Sequence, residues 1–177
     1  MTPEVKKSFQ EFLKLGILGT IYPFMNLEKV WEMFESVDED IYLGNAGNQG
    51  IRYGRLFVAG EPGVKFENNL VDRVGVDFWT NERTKLLKEI PWYMEIGKMR
   101  RHEIYDLLRE ENISFLERVK HISGETSYSD EICIGQIPMT ILAFHTEQEI
   151  PYHITWFKNG LDETDYPYTL QLREPKE

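Results

Sequence analysis

Residues 139–146 read MTILAFHT, and neither face of that segment is polar. On an extended strand, side chains alternate between the two sides. Met139, Ile141, Ala143 and His145 therefore share one side, and Thr140, Leu142 and Phe144 share the other. A strand apolar on both sides is buried on both, so a chain that contains it is built around a sheet. The next apolar run, YHITWFK at 152–158, sits close enough to return alongside it as the second arm of a hairpin.

Other segments supply further strands. LVDRVGVDFW (70–79) places Val71, Val74, Val76 and Phe78 among polar partners. With IRYGRLFVAG (51–60) and the shorter VKFEN it predicts a three-stranded antiparallel meander. ISFLERVKHI (113–122) and DEICIG (130–135) complete the set in the second half, and TLQL near the C-terminus predicts an edge strand. Helices precede these strands. Thr2-Pro3 is a cap followed by a proline at the first helical position, and Gly16 ends that helix. Asn26 caps a second, in which Leu27, Val30, Trp31 and Phe34 recur at i, i+3, i+4 and i+7. A third, RRHEIYDLLREEN, aligns Ile104, Leu107 and Leu108. A short helix near 82–89, before Pro91, is expected within the linker 80–98.

The expected class is α+β, with antiparallel sheet and amphipathic helices packed on one face. One domain spans 1–177. A helix followed by strands ending in GVDFW, and a helix followed by strands ending in HITWF, suggest two helix-then-meander halves, 16–80 and 99–158.

The formal net charge is −10. An acidic surface repels nucleic-acid phosphates and anionic membranes and attracts basic partners. From Ser123 to Asp165 the acids Glu125, Asp130, Glu131, Glu147, Glu149, Asp162, Glu163 and Asp165 face a single base, Lys158. That stretch reads either as a solvated face or as a docking surface for a basic protein. Tyr166 and Tyr168 lie beside it, and Trp92 and Tyr93 lie in the linker. Aromatics in such aperiodic segments serve as interface anchors or pack down over the sheet edge.

Chemical motifs are scarce. The glycines at 44, 47 and 50 follow no phosphate-binding pattern and read as turn glycines. The serines lack a nucleophile-elbow setting. Cys133 stands alone between Ile132 and Ile134 and reads as a buried, inert thiol that forms no internal disulfide. His145 and His153 bracket Glu147 and Glu149, but their spacing follows no zinc-ligand pattern, and a polar hairpin tip is the simpler reading. No metal, cofactor or catalytic residue is expected. The N-terminus has no apolar signal core, and no apolar run approaches the ~20 residues of a membrane helix. The expected location is cytoplasmic.

The segments LEKVWEMF, RYGRLFVA, LVDRVGVDFW, EIYDLLREENISF and MTILAFHTEQEIPYHITWF span most of 16–158. In layout they resemble uncharacterised bacterial toxin-immunity proteins, which are small, acidic and α+β. The resemblance implies a protein that binds a cognate basic toxin and blocks it, without catalysis. The acids from Glu125 to Asp165, with Tyr166 and Tyr168, are then the expected partner-binding residues. Two other readings stay open: a small enzyme or ligand-binding domain using the His145/His153 hairpin, and a structural or regulatory interaction protein.

Overall fold

The computed structural model describes residues 1–35, 41–43, 50–53, 56–60, 69–78, 87, 89–121, 128–145, 149–160 and 171–173. The expected strand VKFEN, the turn glycines 44 and 47, and the expected helix near 82–89 apart from Leu87 and Glu89 lie outside them.

Three helices carry the apolar faces expected of them. α1 spans Pro3–Leu15, α2 spans Leu27–Glu35 and α3 spans Arg101–Glu110. Thr2 Oγ1 accepts the Val5 N–H at the start of α1, and Asn26 Oδ1 accepts the Glu28 N–H at the start of α2. At the start of α3, Glu103 reaches back to accept the Arg100 N–H at 2.7 Å. Each bond satisfies a backbone donor that the helix itself cannot. Gly16 closes α1 in a left-handed conformation, φ 68°. Its missing side chain also lets the Trp156 ring lie directly against the backbone, where any Cβ would collide with the indole.

Among the described residues, nine strands form one antiparallel sheet: β1 (Ile41–Leu43), β2 (Gly50–Tyr53), β3 (Leu56–Gly60), β4 (Val71–Asp77), β5 (Phe115–His121), β6 (Tyr128–Gly135), β7 (Met139–Phe144), β8 (Pro151–Phe157) and β9 (Gln171–Arg173). Their order is β1-β2-β3-β4-β8-β7-β6-β5-β9. The fold is therefore α+β. The two meanders meet at their final strands: β4 pairs with β8, placing Val74 opposite Trp156 and Asp77 opposite His153. One sheet thus runs through both halves of the chain. Strand order alone does not make those halves a duplication. β9 is an edge strand on β5, close to where TLQL predicts one.

The helices lie on one side of this sheet. Phe9, Phe12 and Leu13 of α1, Leu27, Val30 and Phe34 of α2, and Ile104, Leu107 and Leu108 of α3 share a core with Leu56, Val58, Val74, Val76, Ile132, Leu142, Phe144, Ile154 and Trp156. Trp92 lies in that core, fully buried, with Phe12 at 4.9 Å and Phe9 at 5.3 Å between ring centroids. Tyr93 stacks on Phe78 and donates its hydroxyl to the Asp77 carbonyl. The linker aromatics are therefore core residues, not interface anchors.

The strand at 139–144 is buried on both sides, as its sequence requires. Thr140, Leu142 and Phe144 face the helices, and the Thr140 hydroxyl donates to the Leu13 carbonyl at 2.9 Å. On the opposite side Ile141 joins Cys133 and Phe157 in a smaller cluster, with Met139 packed against it.

Candidate functional site

Three of the acids expected to bind a partner are described: Asp130, Glu131 and Glu149. Glu125, Glu147, Asp162, Glu163 and Asp165, together with Tyr166 and Tyr168, lie outside the described residues. The three do not form one face. Asp130 and Glu131 are neighbours on β6, so their side chains leave the sheet on opposite sides. Asp130 turns to the helix side and meets the Arg101 guanidinium at 2.6 Å. Glu131 turns to the other side, where it pairs with Arg118, directly opposite on β5. Glu131 is only 5% exposed and Arg118 only 6%. That pair is buried within the sheet's own surface, which removes Glu131 from any solvated acidic face. Glu149 is exposed, in the β7–β8 connection, with φ 54°.

Arg101 holds this end of the molecule together. Its backbone N–H donates to the Glu149 carbonyl, and its guanidinium lies 5.1 Å from the centre of the Phe144 ring. The arginine pair at the start of α3 thus has an internal anion, Asp130, as one partner.

The two hairpin histidines part company. His145 packs against Tyr152, ring centres 4.9 Å apart. His153 instead meets Asp77 on β4, Nδ1 to Oδ1 at 2.6 Å, and Thr155 Oγ1 contacts its Nε2. Asp77 and Thr155 escaped sequence reasoning. Thr155 carried a local signal, since His153 and Thr155 are two apart on a strand and must share a side. Asp77 carried none, because only the β4–β8 pairing brings it across 76 residues. Among the described residues no three His, Cys, Asp or Glu side chains converge as metal ligands.

Cys133 is buried, and burial pushes its thiol up to about 11. Burial, followed by contact with the Glu117 carboxylate, raises the Tyr105 hydroxyl well above its usual range.

The other end of the sheet exposes several apolar side chains. Here the turn from β6 to β7, the end of β8, the start of β4 and the α1–α2 connector come together. Phe24 donates its backbone N–H to the Val71 carbonyl, and Val71 donates to the Met25 carbonyl. These bonds hold Phe24 in a left-handed conformation, φ 67°, which is rare for a bulky side chain. Phe24 is nonetheless 58% exposed. Tyr22 and Leu70 beside it are also exposed, and Ile137 in the β6–β7 turn is 77% exposed. Lys158 places its ammonium 4.6 Å from the centre of the Phe24 ring. Nothing in the sequence marked these residues, since an apolar side chain in a connector looks the same whether it packs inward or outward.

Comparisons of the chain with protein-family models, with curated proteins and with solved structures find no match. Among the described residues, no helix is long and apolar enough to cross a membrane.

Proposed function

We propose that this chain is a binding protein that covers a basic protein partner, in the manner of an immunity protein that occludes its cognate toxin in the cytoplasm. The observation that carries this reading is Phe24, held at φ 67° and yet 58% exposed, with Tyr22 and Leu70 exposed beside it. Grouped apolar side chains held open to water mark interaction sites, and a strained aromatic among them is costly unless it serves a purpose. The net charge of −10 supports the choice of a basic partner. Long-range attraction speeds encounter, and the apolar contacts then slow release.

This reading moves the centre of the interface away from Asp130 and Glu131, whose charges are used within the fold. Glu149 lies at the opposite end of β8. Seven strand residues, roughly 23 Å at ~3.3 Å each, separate it from Lys158. It belongs to the electrostatic surround and not to the desolvated centre.

The test is co-expression with a basic protein encoded beside this one, toxic when expressed alone. Rescue by the native chain, with a complex that weakens in high salt, supports the proposal. Phe24→Asp is expected to cost at least about 2 kcal/mol of binding, as loss of a central hot spot does. Glu149→Lys is expected to change the association rate and little else. Unchanged binding by Phe24→Asp and Ile137→Asp overturns the assignment of this surface.

A further inference from the structure

The contact between β4 and β8 sets three side chains in line on the sheet side that faces away from the helices. Asp77 lies opposite His153, and Gly75 opposite Thr155. His153 and Thr155 are two residues apart on β8, so both project from the same side. An ionised carboxylate only accepts hydrogen bonds. Asp77 Oδ1, 2.6 Å from Nδ1, therefore accepts a hydrogen bond from Nδ1–H, and Nε2 keeps its lone pair in the neutral ring. Nε2 in turn faces Thr155 Oγ1, whose hydroxyl donates to it. Carboxylate, imidazole and hydroxyl in this order are the parts of an activated nucleophile.

We propose that Asp77, His153 and Thr155 form a proton relay that makes the Thr155 hydroxyl a nucleophile toward short-chain acyl esters. Asp77 and His153 are positioning and base groups, and Thr155 is the atom acylated. Access comes through the histidine. The relay is not sealed, because the His153 side chain is 32% exposed. Gly75 lets β4 lie close against the relay: a Cβ there would stand 3.0 Å from Thr155 Oγ1 and 3.3 Å from His153 Cε1. The limit on size comes from Thr155 itself, which is 4% exposed. On the same side, Phe57 lies beyond Gly75 and Ile141 beyond Thr155. An acetyl group suits so narrow an apolar approach, and a long or charged acyl group does not.

The step balances without a further reagent. Thr155 Oγ gives its proton to His153 Nε2 and bonds to the ester carbonyl carbon. The carbonyl electron pair moves to oxygen, then returns as the bond to the leaving alkoxide breaks. The alkoxide takes the proton from the imidazolium. The products are an acyl ester on Thr155 and a free alcohol. This site lies apart from the exposed apolar end and does not depend on the partner proposed above.

The test uses the full chain and p-nitrophenyl acetate. One acetyl group per chain, located on Thr155 by fragmentation, is expected, with release of one equivalent of p-nitrophenolate. Labelling of Thr155 that depends on the His153 base is a result that a purely structural hydrogen bond does not give. His153→Gln is expected to slow labelling at least about a hundredfold, the usual scale of general-base catalysis. Asp77→Asn slows it too, and Gly75→Ala slows it by crowding the hydroxyl. Thr155→Val abolishes it. Thr155→Ser, which keeps the hydroxyl and removes a methyl, retains it and guards against misfolding of the valine variant. Labelling confined to lysines, equal labelling of Thr155→Val, or no labelling of a folded native chain overturns the proposal.

Discussion

The two sides of the sheet bury their residues by different means. On the helix side, Val74, Val76, Ile132, Leu142, Phe144, Ile154 and Trp156 meet the apolar stripes of three helices, and volume decides the packing. On the other side the same strands carry Arg118–Glu131, Asp77–His153–Thr155 and Arg73 over the Phe157 ring at 4.8 Å. Charged groups survive there because they find partners directly across a strand pair, while Thr155 meets His153 on its own strand. Glu131 faces Arg118 on β5, and Asp77 faces His153 on β8. One side is robust to the choice among apolar residues; the other depends on particular pairs.

The largest test of this contrast is Trp92→Ala. Trp92 is fully buried among Phe9, Phe12 and Phe78. Its truncation is expected to cost about 3–5 kcal/mol in urea unfolding, as large-to-small core changes do. Trp92→Phe is expected to recover much of that loss, because volume is what this side needs. Equal loss in both variants would show that the indole is required for something other than bulk.

On the other side, Glu131→Ala leaves Arg118 buried without its carboxylate. A loss of about 3 kcal/mol is expected, chiefly the penalty of an uncompensated charge. Replacing both residues with Leu and Met is expected to restore stability to within about 1 kcal/mol. If the single and double variants are equally unstable, the pair is not what governs this side, and the contrast fails. Thr140→Val tests a buried polar group on the helix side. Its hydroxyl ties β7 to the end of α1 through the Leu13 carbonyl. About 1 kcal/mol is expected for that bond.

This difference also explains what the sequence discloses. Helix stripes such as Leu27-Val30-Trp31-Phe34 and a two-sided strand such as MTILAFHT announce themselves through periodicity, because burial against a face imposes it. The three helices, most strands and the helix-covered side are legible for that reason. Cross-strand pairing has no such periodicity. Glu131 reads as one more acid in an acidic run until β5 is seen beside it. His153 reads as a companion of His145 until β4 supplies Asp77. Phe24 reads as connector until its hydrogen bonds to β4 show that it is held outward. Trp92 is the reverse case: an aromatic in an aperiodic segment that ends at the centre of the core.

The smallest effect concerns Cys133, which shares the second side with the ion pair yet has no charge of its own to match. Desolvation raises its thiol to about 11, with Arg118 lowering it and Glu131 raising it to lesser extents. The unfolded thiol titrates near 9. Thiolate is the reactive form, so at pH 8 the native chain is expected to react with iodoacetamide about a hundredfold more slowly than the urea-unfolded chain. The sign for stability follows from the same shift. Burial favours the protonated thiol, so its contribution is complete below pH 9 and is lost as pH rises toward 11. Cys133→Ala is expected to remove that alkaline loss while costing little near neutrality. In Glu131→Ala, loss of the carboxylate that raises the thiol is expected to let Arg118 pull it down and speed native alkylation. No change in alkylation between the native chain and Glu131→Ala would mean that Cys133 is governed by exclusion from water alone, and that the second side is less electrostatic than its pairs imply.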